Sequence, residues 1–302
     1  MDIDGRRLMV LNALSDPPIN YSYSMPTRIG TVVPCDKKDH VVVALENGIF
    51  SLELNVPSAE VASSAHPENA DEPVKTVELS CGELVPIAQD PEAGIATNRF
   101  NDGKCDPFGR LWVGTMEISP PRKTTGALYC FDPADVGDDG ELPVMRRVLE
   151  KIGVSNGVAW SSDGLRMFYI DSFEHCVSVL DYDPKTGEAT GRKKAWEYAE
   201  EDGTPDGCTM DTEDRLWVAH FNGGQVTCTD TSTGERVTSI KIPGATQVTS
   251  CAFGGIDMGD LYVTTAQEGM GEEEKAKFPN SGALFVVRDI GATGRPTARL
   301  GI

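Results

Sequence analysis

Asp106-Pro-Phe-Gly-Arg-Leu-Trp-Val-Gly-Thr-Met116 reads as a tight turn followed by an apolar strand. The Asp-Pro-x-Gly portion supplies turn chemistry and the Leu-Trp-Val portion supplies aromatic and β-branched strand formers. The same form returns at Ser162-Asp-Gly-Leu-Arg-Met-Phe-Tyr-Ile-Asp171, at Thr212-Glu-Asp-Arg-Leu-Trp-Val-Ala-His220 and at Met258-Gly-Asp-Leu-Tyr-Val-Thr-Thr-Ala266. A weaker copy is Asp36-Lys-Lys-Asp-His-Val-Val-Val-Ala44. Aligning Leu111, Met167, Leu216 and Leu261 gives intervals of 56, 49 and 45 residues.

Each copy leads into a further strand with a hairpin signal: Gly126–Asp132, Val177–Asp183 before Gly187, Gly224–Asp230 before Thr233-Gly234, and Gly282–Val287. Glycine provides the positive φ that such turns need. Several short strands in a period of about 50 residues are the signature of a propeller blade. At that period the 302 residues hold about six blades. The expected fold is an all-β, six-bladed β-propeller occupying residues 1–302 as one domain. A β-sandwich is the alternative, and near-equal repeats of turn plus aromatic strand argue against it.

The rest of the composition agrees. Gly and Pro number 31 and 19, as many turns require, and no long amphipathic helix is evident. Segments 56–78 and 268–281 lack alternation and read as solvent loops, with the charge run 272–274 a solvated face. The 47 acidic against 27 basic residues leave a net charge of −20, which disfavours a nucleic acid or an anionic membrane as partner. Most of those carboxylates are expected at the solvated surface. Eight cysteines, with no Cys-x-x-Cys pair, fall in strand patterns such as Leu128-Tyr-Cys-Phe131 and read as reduced core thiols. No apolar run reaches the ~18 residues of a membrane span, and the expected location is the cytoplasm.

One position of the repeat carries the chemistry. Nine residues before Leu111 stands Asp102-Gly103, eleven before Met167 Asn156-Gly157, and ten before Leu216 Asp206-Gly207. Inner strands of a propeller surround a central channel, so equivalent positions converge. Two carboxylates and an amide oxygen there make a hard-oxygen site for Ca²⁺, Mg²⁺, Mn²⁺ or, less specifically, Zn²⁺. The alternative is that these dipeptides merely form the turns entering the strands. Beside them, Arg99, Asn101, Asp102 and Lys104 crowd together. Alternation places Arg99 and Asn101 on one face, opposite Phe100. They suit sugar hydroxyls or a carboxylate, or else Arg99 forms a structural ion pair with Asp102 or Asp106. No G-x-S-x-G, H-E-x-x-H, Walker or G-x-G-x-x-G motif occurs. His175 and His220 read as structural, and Trp112, Trp160 and Trp217 as core.

Asn98–Met116, Ser155-Asn-Gly-Val-Ala-Trp160, Tyr169–Ser172, Pro205-Asp-Gly-Cys-Thr-Met-Asp211, Asn222-Gly-Gly224 and Thr249–Gly255 together resemble the regucalcin (senescence marker protein) and gluconolactonase family, over residues 1 to about 290. The resemblance implies a six-bladed propeller with one divalent cation in its channel and hydrolysis of sugar lactones. It implies Asn156 and Asp206 as metal ligands, Asp206 as the acid/base, and Arg99, Asn101 and Glu117 as substrate contacts. The family's further Glu ligand lies in a Gly-Glu-x-Pro-x-Trp segment before a strand resembling Met1-Asp-Ile-Asp4. This chain begins at that strand, so the expectation is either an N-terminally incomplete blade or a shell completed by Asp102 or water. The leading expectation is a metal-dependent lactonase acting on a small sugar lactone, monomeric or weakly self-associating. The alternatives are a calcium-binding regulatory protein without turnover and a hydrolase of other esters or organophosphates.

Overall fold

The β-branched and aromatic runs between the glycine-rich turns form strands throughout the computed structural model, which describes residues 1–12, 18–56, 74–137 and 140–302. In chain order these are β1 (Arg7–Asn12), β2 (Ile19–Ser24), β3 (Ile29–Pro34), β4 (His40–Leu45), β5 (Gly48–Glu53), β6 (Lys75–Leu79), β7 (Leu84–Ala88), β8 (Asn98–Cys105), β9 (Leu111–Glu117), β10 (Gly126–Phe131) and β11 (Arg146–Ile152). There follow β12 (Ser155–Trp160), β13 (Arg166–Asp171), β14 (Cys176–Asp183), β15 (Glu188–Glu197), β16 (Thr204–Met210), β17 (Arg215–Phe221), β18 (Gln225–Asp230), β19 (Arg236–Lys241), β20 (Val248–Gly254), β21 (Asp260–Thr265) and β22 (Leu284–Val287).

They make the six blades of a β-propeller: β1-β2-β6, β3-β4-β5-β7, β8-β9-β10-β11, β12-β13-β14-β15, β16-β17-β18-β19 and β20-β21-β22. The blades at the two ends of the chain have three strands each among the described residues. In the first of them β6 joins β2 in parallel, whereas the other pairings are antiparallel. The inner strands β3, β8, β12, β16 and β20 pack in succession around the axis. Apolar side chains fill the spaces between blades. Leu8, Tyr21 and Tyr23 of the first sheet pack on Val43, Leu45 and Leu52 of the second, while Trp112, Trp160, Met167 and Tyr182 join the third to the fourth.

The expected turns are built around buried carboxylates. Asp106, fully buried, accepts from the amides of Phe108 (2.8 Å) and Arg110 (3.0 Å), from Trp112 Nε1 (3.1 Å) and from the Tyr182 hydroxyl. Asp211 repeats the arrangement with the amides of Glu213 and Arg215, with Arg215 Nε (2.7 Å) and with Trp217 Nε1 (2.9 Å). One acidic residue thereby satisfies the turn's amides and the indole of the strand that follows. Arg110 joins Asp106 and Asp132, so Asp106 is not the partner of Arg99.

The C-terminal segment ties the blades at the end of the channel opposite Asn98. Thr212 N donates to the Thr293 carbonyl, Arg295 Nη1 to the Trp160 carbonyl, Gly301 N to the Gly109 carbonyl, and Leu300 N to the Pro34 carbonyl. It therefore touches the turns of four neighbouring blades and buries Leu300 in the core.

Several expectations are corrected in detail. Met1–Asp4 is not a sheet strand: Asp2 bridges Arg7, and the chain turns through Arg6 at φ 55° before β1 begins. Of the segment 56–78, residues 57–73 lie outside the described residues, and 75–78 belong to β6. The segment 268–281 contains a short helix, α1 (Glu272–Lys277), whose Glu272, Glu273 and Glu274 occupy the first turn and Lys275 and Lys277 the last, the order a helix dipole favours. All eight cysteines are free and seven are buried. Burial pushes the Cys208 thiol up to about 12, as expected of an unreactive core thiol. His220 is buried, with Nε2 2.8 Å from Thr227 Oγ1 and its ring edge-on to Tyr198. Burial lowers its pKa to about 4, so it stays neutral and structural. No helix among the described residues is long and apolar enough to cross a membrane.

Candidate functional site

The Asx-Gly dipeptides lie inside the inner strands, not in the turns before them. Each interrupts the pairing of its strand with the next strand of the blade: the register shifts between Phe100 and Gly103 in β8, between Ser155 and Val158 in β12, and between Pro205 and Cys208 in β16. Shifts at Ile29/Thr31 in β3 and Val248/Ser250 in β20 complete the set. A β-bulge re-aims the residues it contains. Asp102, Asn156 and Asp206 each stand within such an irregularity.

The glycines serve close approach. A Cβ on Gly157 would stand 2.7 Å from Cys208 Sγ and 2.9 Å from the Asp206 carbonyl oxygen, and one on Gly207 would stand 2.3 Å from Ser250 Oγ. Neither has a positive φ, so the constraint is space between adjacent inner strands and not backbone conformation. Gly157→Ala is therefore expected to push β12 from β16 and to cost about 1–3 kcal/mol. Chemical denaturation measures this, and an unchanged midpoint would contradict the packing argument.

A chain of hydrogen bonds links three of the expected site residues, Arg99, Asn101 and Asn156, and does not include Asp206. Arg99 Nη1 donates to Asn101 Oδ1 (2.7 Å) and to the Phe100 carbonyl (2.9 Å). Asn101 Nδ2 donates to Asn156 Oδ1 (2.8 Å) and to the Ser155 carbonyl (2.8 Å). Asn156 Nδ2 donates to Ser172 Oγ (2.7 Å), which fixes the amide with its oxygen turned toward Asn101. Asp206 lies near enough to Asp102 for the two carboxylates to repel. Burial, and then the Asp102 charge, push the Asp206 carboxyl well above the usual carboxylate range. Burial also raises Asp102, against the opposing charge of Lys104. Lys104 Nζ donates to the Cys208 carbonyl (2.6 Å), crossing from β8 to β16 on the far side of the carboxylates from the mouth.

These residues fit a divalent cation by donor chemistry. Among the described residues no three of His, Cys, Asp and Glu converge, so the set is two carboxylates plus an amide oxygen. Neither Asp102 nor Asp206 has a Lys or Arg nitrogen at ion-pair distance among the described residues; Lys104 acts on Asp102, and Arg99 on Asp206, from farther away. Oxygen-only donors suit a hard cation.

Glu117, at the end of β9, is not brought into that chain. Its Oε2 accepts from the Lys123 amide (2.6 Å) and shapes the loop 117–125. That loop carries a residue the sequence did not single out: Arg122 Nη2 reaches Glu268 Oε1 (3.1 Å) across the channel mouth, joining the third blade to the sixth. The backbone of Glu268 is clamped by buried Gln247, whose Nε2 donates to its carbonyl (2.8 Å) while Oε1 accepts from its amide (2.7 Å). Nothing local in the sequence couples residues 146 positions apart. Arg99 also lines a cavity of about 420 Å³ with Arg28, Glu92, Asn98 and Thr115.

Positions 1–267 match the family described as SMP-30/Gluconolactonase/LRE-like region. Regucalcin of Danio rerio is 42% identical over 199 residues, which are 66% of this chain and 64% of that protein. The match thus spans less than two thirds of that relative's length. Among solved structures, a luciferin-regenerating enzyme superposes with a TM-score of 0.79 at 28% identity, over 100% of this chain and 93% of the other. A calcium-binding protein, regucalcin, from Agrobacterium tumefaciens superposes at 0.78 with 21% identity, over 99% and 88%, and shares the fold.

Proposed function

We propose, for a chain that belongs to the SMP-30/gluconolactonase/LRE-like family, that it hydrolyses sugar lactones with one divalent cation in the channel. The reading is supported by Asp102, Asn156 and Asp206 standing at the bulges of three successive inner strands, by the Asp102 charge acting on Asp206, and by Asn101, itself bonded by Arg99, donating to Asn156.

Asn156 and Asp206 would hold the cation, with Asp102 or water completing its shell. When bound, the cation supplies Lewis-acid stabilisation of the negative charge that develops on the lactone carbonyl oxygen. The protein's own residues do the rest. Asp206 accepts a proton from the attacking water as the water oxygen bonds to the carbonyl carbon. As the ring carbon–oxygen bond breaks, the ring oxygen takes that proton and the product leaves as a hydroxy acid, whose carboxyl proton is released to solvent. Asn101, whose Nδ2 protons are both given to Ser155 and Asn156, keeps a lone pair of Oδ1 to accept from a substrate hydroxyl, and Arg99 offers the remaining donors of its planar fork. Lys104 closes the far side, so substrate enters from the mouth.

The test is the initial rate of δ-gluconolactone hydrolysis after EDTA treatment and after restoring Ca²⁺, Mg²⁺, Mn²⁺ or Zn²⁺. The expected result is loss with chelator and recovery with at least one cation. Cation binding without turnover of any lactone or ester would overturn the enzymatic reading in favour of a calcium-binding role.

A further inference from the structure

The channel mouth holds charges of both signs, the guanidinium groups of Arg99 and Arg122 and the Glu268 carboxylate, in a chain that carries a net −20. Two guanidinium groups face it, Arg99 from β8 and Arg122 from the loop 117–125. Among the described residues Arg99 makes its hydrogen bonds through Nη1 alone, to the Phe100 carbonyl and Asn101. Arg122 is held by Glu268 through Nη2, and its Nε is buried without any hydrogen-bond partner. A buried donor without an acceptor is costly, and here it belongs to a fork made for two parallel bonds to an oxyanion. The carboxylate that engages the fork belongs to a side chain 57% exposed, on a backbone that Gln247 pins in place. An exposed pair of this kind is readily exchanged for another anion. Burial first, and then the nearby Arg122 charge, lower the pKa of Arg99, against the opposing carboxylates of Glu268 and Asp4.

We infer that Arg99 and Arg122 together recognise an anionic group on the substrate, which makes the preferred substrate a sugar lactone bearing a carboxylate or a phosphate, whose anionic group competes with the Glu268 carboxylate for Arg122. This deepens the lactonase reading and rests on it. Arginine suits the task because its planar donors match the oxygens of carboxylate and phosphate alike. The cation at Asn156 and Asp206 would serve the lactone carbonyl, while the arginine pair at the mouth serves the distal end of the molecule.

The test compares kcat/KM for neutral δ-gluconolactone, its 6-phosphate ester and an aldaric lactone, in the wild type, Arg122→Gln and Glu268→Gln. The expected result is a wild-type preference of tenfold or more for an anionic lactone, and the phosphate and carboxylate arms identify which. Arg122→Gln should lower the anionic substrate's kcat/KM by tenfold or more and the neutral one's far less. Glu268→Gln removes the competing carboxylate and should raise the anionic-to-neutral ratio. A wild-type ratio at or below one, or an equal fall for both substrates in Arg122→Gln, would overturn the inference while leaving lactonase activity intact. Calorimetry on EDTA-treated protein reads the arginine pair without turnover. Glucose 6-phosphate or glucuronate should bind more tightly than glucose, and the difference should disappear in Arg122→Gln. Equal binding of all three would overturn the inference, whereas tighter anion binding in a protein that hydrolyses no lactone would place the failure in the lactonase reading instead.

Discussion

Asp206→Asn is expected to lower kcat for lactone hydrolysis by about 10²- to 10⁴-fold, the range associated with losing a positioned proton acceptor. The amide retains an oxygen for a cation and occupies the same volume in β16, so the blade should fold as before. What disappears is the group whose pKa is raised by burial and by Asp102, and with it the ability to take a proton from water. Removing a charged ligand also weakens cation binding, because affinity follows the number of ligand charges. The two losses separate experimentally. Titrating cation to saturation restores occupancy but not the proton acceptor, so kcat at saturating cation should remain low while the cation concentration needed for half-occupancy rises. Full turnover in Asp206→Asn at saturating cation would remove Asp206 from the mechanism.

The largest effect on stability is expected at the other end of the same blades. Asp106→Ala deletes a fully buried carboxylate that satisfies two turn amides, the Trp112 indole and the Tyr182 hydroxyl, and that lies 3.5 Å from Arg110 Nη1. The substitution leaves a buried cation and several donors with fewer partners. Removing one member of a buried ion pair costs about 3–5 kcal/mol because the remaining charge is stranded. Arg110 keeps Asp132 at 2.6 Å, which places the expectation toward the lower end of that range. Asp211→Ala should behave alike, since Asp211 holds Arg215 and Trp217 in the same way. Urea midpoints at constant m-value measure both. A loss under about 1 kcal/mol in either would show that the turn does not depend on its carboxylate.

The propeller was legible because its evidence is local and repeated. Asp106-Pro-Phe-Gly-Arg-Leu-Trp-Val and Thr212-Glu-Asp-Arg-Leu-Trp-Val each carry their own turn and strand signals, and a spacing of 45 to 56 residues between copies points to blades. The Asx-Gly positions were legible for the same reason, although their local chemistry points equally to turns. The difference between a turn and a bulge depends on how β8, β12 and β16 pair with the second strands of their blades, and on Gly157 meeting Cys208 and Gly207 meeting Ser250, contacts between neighbouring blades. The parallel addition of β6 to β2 left no trace in the sequence, since pairing of Ile19 with Lys75, 56 residues on, has no local code. The short helix at Glu272–Lys277 escaped notice because six residues are too few for an amphipathic period.

What the amino-acid sequence determined alone was the repeat: six all-β units, the polar positions Asp102, Asn156 and Asp206 in equivalent places, and the Arg99–Asn101 cluster beside them. Those properties follow from turn chemistry and alternation, which act over a few residues and recur in every blade. Only the tertiary structure decided that Asn101 bonds Asn156, that Glu117 shapes a loop and stays apart from that chain, that Lys104 reaches from β8 to the Cys208 carbonyl of β16, and that Arg122 meets Glu268. The physical reason is that ring closure brings strands far apart in sequence around one axis. Charge and hydrogen bonding act across that axis over a few ångströms, whatever the number of residues between the partners.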